Sequence, residues 1–222
     1  MGNLFDASAH HYDRISALMS FGTDKSYRRQ VLLHAGLKPG MRMLDVACGT
    51  GMVAEPASAI VGPSGEVVGL DPSSGMLSEA VKQGRVSLPT QGVAEQLPFA
   101  DDTFDFLTMG FALRHVADLH TTFAEYRRVL KPGGTALILE ITRPDSKVYY
   151  QIFKFHLKTL VPIFTRLTTL NKQAQSLMDY HWDTVEFCVP ATTILNALEG
   201  TGFAKVDRRV QLGIFNEYKA TK

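Results

Sequence analysis

Residues 45–51 read "DVACGTG" and end a short apolar run, "RMLDVA" (42–47), which has the length and character of a buried strand. The run passes through a glycine turn into "MVAEPASAI", a helix-like stretch in which Pro56 must sit early or kink the helix. Strand, glycine turn and helix make one βα unit, and the unit repeats. "EVVGLD" (66–71) is a second strand, again ending in an acid, and "SSGMLSEAVKQ" is a helix with Ser73 as its start signal. "VSLPTQG" is a weak third strand and "TFDFLTMG" (103–110) a fourth. A helix from Leu119 to Leu130 follows Asp118, and "KPGGTALILEI" gives a glycine turn and a fifth strand. Strands alternating with helices predict a parallel sheet covered on both faces.

The flanks read differently. Phe5, Ala9, Tyr12, Ile15 and Met19 recur at helical spacing over residues 3–20, and a second helix is expected from Asp24 to Ala35. Residues 146–182 read as mostly helical, rich in aromatic and basic side chains, an insertion or cap on the same domain. "ATTILNALEGTGF" is a further helix ended by Gly200 and Gly202, and "AKVDRRVQLGIFNEYKA" supplies two closing β segments. The expected organisation is one domain over 1–222, with a helical lid (1–36), a cofactor-binding core (37–145 and 203–222) and a cap facing the substrate (146–202).

The glycine loop narrows the ligand. A dinucleotide fingerprint needs G-x-G-x-x-G after a strand and an acid about 20 residues on. Here Gly49 and Gly51 are present, Ala47 stands where a first glycine would be, and the third glycine is missing. Asp45, at the carboxyl end of its strand, would repel a pyrophosphate and suit a cationic group or an amino-acid ammonium. Asp71 ends the second strand 22 residues past Gly49, where a carboxylate takes both hydroxyls of a ribose. A lone GxG is otherwise only a tight turn; two strand-end acids in register lift it above that. A ligand with a ribose, a positive end and no phosphate is S-adenosylmethionine. The same features argue against an NAD-dependent oxidoreductase.

Composition bounds the rest. Hydrophobic residues are 45% and charged ones 20%, ordinary for a globular chain, and the net charge of +1 leaves no electrostatic footprint for nucleic acid. The only cysteines, Cys48 and Cys188, form no metal motif, so no metal is expected, and a reducing cytoplasm is the simplest setting. "MGNLFD" departs from a myristoylation signal at Asp6, and no leader or membrane span is expected. In "VYYQIFKFHLKTLVPIF" (148–164), Tyr149, Phe153, Phe155, Val161 and Phe164 interleave with Lys154 and Lys158. That pattern fits either a buried cap helix or an interfacial surface that contacts a membrane peripherally and admits a lipid tail.

Several stretches together resemble one family. They are "FDASAHHYDRISALMSFG", "MLDVACGTG", "AEQLPFADDTFD" with "GFALRHVAD", "RVLKPGGTALILEITRP" and "YHWDTVEFCVP". In this order they resemble the ubiquinone/menaquinone biosynthesis C-methyltransferases among the class I S-adenosylmethionine-dependent methyltransferases. The glycine loop and "KPGG" are generic to such enzymes; "LMSFG" and "FALRHV" are more specific. The resemblance implies a Rossmann-like, doubly wound, mostly parallel seven-stranded sheet with an antiparallel C-terminal strand. It implies cofactor contacts at Thr50, Asp71, Val93, Ala94 and Gly110. The family often has Asn at the position of Val93 and usually Ser at that of Gly110, so those side-chain contacts are absent here. It also implies a small hydrophobic, aromatic acceptor, a polyprenyl quinol precursor methylated at carbon, and leaves room for a homodimer. The family's Arg-Asn pair is Arg114-His115 here, and the C-terminal ending differs. Other acceptors therefore stay open: a phenolic or amine-bearing metabolite or a lipid head group, methylated at O, N or C. So does a non-catalytic cofactor-binding subunit of a quinone-synthesis complex.

Catalytic candidates follow from the chemistry. A hydroquinol carbon attacks a methyl group once a neighbouring hydroxyl loses its proton, and Arg114, after the fourth strand, is placed to stabilise the phenolate or orient a water. The competing reading of Arg114 is a surface ion pair with an acid such as Asp118. His115 is a candidate base. The resemblance implies an N-terminal helix that closes over the site, which would bring Tyr12 and Asp13 to it, and Tyr180, His181 and Trp182 would line the pocket from the cap. Cys48 is expected to pack under the loop as a small apolar residue.

Overall fold

The computed structural model describes residues 24–144, 146–160, 163 and 188–222. From helix α1 (Asp24–Ala35) the chain alternates through β1 (Arg42–Val46), α2 (Ala54–Val61), β2 (Glu66–Asp71), α3 (Ser74–Lys82), β3 (Leu88–Gln91), β4 (Phe104–Gly110), α4 (Leu119–Val129) and β5 (Leu130–Ile141). Helix α5 (Lys147–Phe155) continues into a π-type turn over His156–Leu160, and α6 (Ala191–Gly200) precedes the hairpin of β6 (Ala204–Gln211) and β7 (Phe215–Thr221). The strands form one sheet in the order β3-β2-β1-β4-β5-β7-β6. The first five are parallel, and β7 lies antiparallel to both β5 and β6.

Both faces of this sheet are covered, which is why its central strands read as nearly unbroken apolar runs. On β1, Leu44 and Val46 pack with Phe123, Tyr126 and Val129 of α4 and Ile194, Ala197 and Leu198 of α6. Met43 points the other way, into a second core with Val31, Leu32 and Ala35 of α1, Ala57 and Ile60 of α2, and Leu77 and Ala80 of α3. The helix starts use local polar side chains: Ser73 accepts from the Met76 amide, Asp118 from Thr121 and Ser146 from Tyr149. Pro56 sits in the first turn of α2, where its missing N–H costs no helical hydrogen bond.

The chain winds outward from β1 to β3, then returns to place β4 on the other side of β1. Such a reversal opens a crevice at the carboxyl ends of the two strands. The ligand site of this fold is thereby put where "DVACGTG" leaves β1 and Gly110 ends β4.

One expectation needs correction. The fifth strand does not begin after "KPGG"; Leu130 already pairs with Phe104, and the register then shifts before Phe106 meets Thr135. Pro132 has no N–H to give a ladder and Gly133 adopts φ +78°, so the expected turn is absorbed as an irregularity within the strand. The predicted helix over 3–20 and much of the cap lie outside the described residues.

Candidate active site

Asp45 is the fourth residue of β1, and its partner across the parallel ladder to β4 is Thr108. Partners in register carry side chains on the same face, so the Thr108 hydroxyl donates to Asp45 Oδ1 at 2.7 Å. The other oxygen, Oδ2, is buried and has no hydrogen-bond partner among the described residues. The Ala54 amide at the start of α2 also favours the ionised carboxylate. Burial pushes the Asp45 pKa up from 3.8 to about 7, against the Thr108 hydrogen bond and the charge of Arg28, which favour ionisation. A carboxylate left in this condition is matched to a cation.

The loop after β1 turns through left-handed backbone at Ala47 (φ 54°) and Gly49 (φ 55°). Nothing lies within 4 Å of a Cβ built at Gly49, so backbone conformation and not crowding favours glycine there. At Gly51 crowding adds to the φ of +81°: a Cβ would stand 2.8 Å from Arg85 Cβ. Gly51 thus packs the loop onto its neighbours. Cys48 is buried beneath the loop, as expected, with its sulfur where a Cβ on Gly69 would collide.

Asp71 ends β2 and ties two turns together. Its Oδ2 accepts from the Gly49 amide at 2.8 Å and its Oδ1 from the Ser73 amide at 2.9 Å. A carboxylate at a strand end in this position is the group that takes the hydroxyls of a ribose. Val93 and Ala94 follow β3 near this edge, where Gly92 donates to the Asp71 carbonyl at 3.3 Å. Val93 is exposed and Ala94 is buried in the core.

One cavity gathers Asp45, Ala47, Cys48, Gly49, Thr50 and Gly110 with Arg28, Met52, Val53 and Phe111. The sequence-predicted Asp45, Ala47, Gly49, Thr50 and Gly110 therefore meet, and Asp71 is joined to them through the Gly49 amide, while Gly51, Val93 and Ala94 do not line this cavity. Arg28 was not foreseen. Its signal was a cation at a buried position of α1, three, four and seven residues before Val31, Leu32 and Ala35. The group fits S-adenosylmethionine: Asp45 carries a buried oxygen without a hydrogen-bond partner, matched in charge to an ammonium, and Asp71 sets a carboxylate at the end of β2 for ribose hydroxyls.

Arg114 lies in a single turn of 3₁₀ helix, Leu113–His115, beyond β4. The expected alternative, a surface pair with Asp118, is not what forms: Asp118 caps α4 instead. Arg114 donates to the Phe111 carbonyl and stands 3.8 Å from Glu140, with both side chains largely buried. Glu140 Oε1 accepts from the Ile141 amide at 3.1 Å, and Oε2 has no hydrogen-bond partner among the described residues. Burial raises the Glu140 pKa against the pull of Arg114. Glu140 was legible in principle, since it is a third acid near the end of a buried strand. His115 keeps an exposed edge, yet desolvation of the ring and then the Arg114 charge push its pKa down to about 4. It is neutral at physiological pH and a weaker base than its residue type suggests. Tyr12, Asp13, Tyr180, His181 and Trp182 lie outside the described residues.

Comparison with known proteins gives the geometry its family. Two demethylmenaquinone methyltransferases of Staphylococcus aureus (strains JH9 and Newman) are each 38% identical over 183 residues, 81% of this chain and 73% of theirs. Among solved structures, an Aquifex aeolicus SAM-dependent methyltransferase matches with a TM-score of 0.67 at 21% identity, covering 94% of this chain and 97% of that one. A Haemonchus contortus phosphoethanolamine N-methyltransferase in complex with S-adenosyl-L-methionine matches with a TM-score of 0.66 at 18% identity, over 98% of this chain and 57% of that one. These structures share the fold. The sequence model of the ubiE/COQ5 methyltransferase family matches residues 1–222, and the chain with its acid-lined glycine loop belongs to that family, an enzyme whose methyl donor is S-adenosylmethionine.

Proposed function

We propose that the acceptor is a hydrophobic quinol precursor, methylated at a ring carbon. The reading is carried by the buried Arg114–Glu140 pair, anchored on the carbonyl of Phe111, a residue that itself lines the donor cavity. The demethylmenaquinone methyltransferase relatives support it. When bound, the donor supplies a methyl group already activated by a positive sulfur. The protein must align the two reactants, keep water out and meet the cost of making the carbon nucleophilic. A phenol of pKa ~10 lies ~3 units above neutral pH, about 4 kcal/mol of unfavourable deprotonation. Arg114 lowers that cost by placing a fixed positive charge beside the developing phenolate. Glu140 holds the guanidinium from behind. His115, neutral at pH 7, serves as a hydrogen-bond acceptor on the same turn. Tyr12, Asp13, Tyr180 and Trp182 are proposed acceptor-side groups. Val93, Ala94 and Thr50 are proposed to flank the donor.

Helix α5 supports a route for a lipid tail, with Phe155 of the expected residues on the exposed face and Val161 and Phe164 outside the described residues. Tyr149 and Phe153 are half-buried with rings 6.4 Å apart, whereas Val148, Ile152 and Phe155 are exposed. These three lie at helical spacing on one face, near Lys147 and Lys158, which suits peripheral contact with a membrane. No helix among the described residues is long and apolar enough to cross one.

The test is turnover of a demethylated quinol with labelled methyl donor. Arg114→Ala is expected to lose at least about tenfold in kcat; undiminished turnover removes Arg114 from the mechanism. Donor binding without transfer to quinols, phenols or amines would favour a cofactor-binding subunit.

A further inference from the structure

Phe111 follows the last residue of β4 and holds φ +59°, in the left-handed region. Among the described residues, the other non-glycine residues with positive φ are Asp102 and Leu212, in turns, Lys205, at the register shift of β6, and Ala47, in the loop after β1. Phe111 differs in setting a bulky ring on strained backbone at the edge of the site. Such strain persists only where the surroundings over-determine it.

The consequence is a change of face. On β4, Leu107 and Met109 pack in the core shared with α4 and α6, and strict alternation would send residue 111 after them. Phe111 packs instead against the core on the α1 side, while Ala112 and Leu113 enter the first. Contacts on every side hold the turn. The Phe111 amide donates to the Leu139 carbonyl of β5 at 2.7 Å. The ring meets Phe215 of β7 edge to face, 6.5 Å between centroids, and lies 5.0 Å from the Arg28 guanidinium carbon. The carbonyl accepts from Arg114. Phe111 also lines the donor cavity, so one residue touches both the donor side and the Arg114 turn.

We propose that Phe111 is a positioning residue: its left-handed backbone turns the carbonyl onto Arg114 and so sets the guanidinium towards the acceptor, in register with the donor cavity. A residue with a Cβ leaves this conformation unless held, and its carbonyl then swings away from Arg114. Leu139 and Phe215 supply the hold. This rests on the reading of Arg114 as the charge that stabilises the acceptor phenolate, and adds what keeps that charge in place.

The test separates backbone from ring. Phe111→Val and Phe111→Gly both delete the ring, but a β-branched side chain is the least able to hold a positive φ and glycine holds it freely. Single-turnover methyl transfer to a demethylated quinol is measured anaerobically from pH 6 to pH 10, with donor and quinol saturating, beside Arg114→Ala. A misplaced guanidinium leaves the acceptor hydroxyl harder to ionise, so its loss is largest where the hydroxyl is protonated and fades as pH approaches ~10. Phe111→Val should lose about tenfold at pH 7 and converge to within about threefold of the parent at pH 10, as Arg114→Ala does. Phe111→Gly should stay within about threefold of the parent throughout. Equal losses in the Val and Gly variants would assign Phe111 to its ring alone, and a Val loss independent of pH would assign it to stability; either overturns the proposal. Should the Val variant fail to fold, Phe111→Ala carries the comparison, since its Cβ meets the same strain. Ala slower than Gly at pH 7 and level with it at pH 10 then supports the proposal, and equal rates overturn it. An Arg114→Ala profile that keeps the parent's shape, or a parent inert on quinols and phenols alike, overturns the reading of Arg114 and the proposal together. A displaced Arg114→Ala profile with an undisplaced Val profile strikes only at Phe111.

Discussion

Asp45→Asn should make the free protein more stable at neutral pH while weakening donor binding. The carboxyl titrates at about 7 in the folded chain against 3.8 for an unperturbed group, a rise of about three units. The sign follows from proton uptake. Between the two values the folded state holds a proton that the unfolded state has lost, so stability falls as pH rises through this window. Above about pH 7 the full cost is present, about 4 kcal/mol at ~1.4 kcal/mol per unit. Asparagine keeps an acceptor for Thr108 and carries no charge to desolvate. The variant should therefore match the parent at about pH 3, below both values, and exceed it by about 3–4 kcal/mol at about pH 8. For a chain of this length that is roughly 6–16 °C in Tm. Urea unfolding at both pH values without ligand measures it. A variant no more stable than its parent at the higher pH, or a difference independent of pH, would refute the reasoning. The same protonation predicts that S-adenosylhomocysteine affinity of the parent weakens as pH falls below about 7, and that methylthioadenosine affinity does not.

Other outcomes follow from the same geometry. Ala47 holds φ 54°, where a Cβ is strained, so Ala47→Gly should raise stability by about 0.5–1 kcal/mol after the entropy glycine adds to the unfolded chain; a loss in thermal melting would show that the Ala47 methyl packs more than it strains. Glu140→Gln removes the negative charge behind Arg114 and should reduce kcat about tenfold or more with donor affinity unchanged; a matched loss of donor affinity would place Glu140 in the donor site instead. Charge reversal at Lys147 and Lys158 should abolish flotation with anionic liposomes, and equal absence of binding in parent and variant would remove the membrane contact.

The fold was legible because its signals are periodic. Apolar runs of five to seven residues alternated with amphipathic stretches, and caps at Ser73 and Asp118 marked where helices begin. The donor loop was legible for a related reason: an acid at a strand end and paired glycines after it are local features. Arg28, Thr108 and Glu140 escaped because their significance is not local. Thr108 matters only through the β1–β4 register that sets it beside Asp45. Arg28 is 17 positions before Asp45 in the chain, on another element, and only tertiary packing brings its charge into that carboxylate's surroundings. His115 was misjudged in strength, since the neighbour that draws attention to it, Arg114, is also a charge that suppresses its basicity.

Three acids at or near strand ends look alike in the sequence and meet different fates. Asp71 accepts from two backbone amides, and so it holds the loop in shape before any ligand arrives. Glu140 sits beside a guanidinium, which makes it a support for Arg114. Asp45 alone combines near-complete burial with an unfilled oxygen and a cation across a cavity. Its ionisation is also opposed by Asp71 at the end of the adjacent strand. Two neighbouring carboxylates would raise the cost of any phosphate brought to this loop and lower that of a cation. The missing third glycine and the acidic loop therefore have one explanation: the crevice is built for a ligand that brings positive charge and no phosphate to the end of β1.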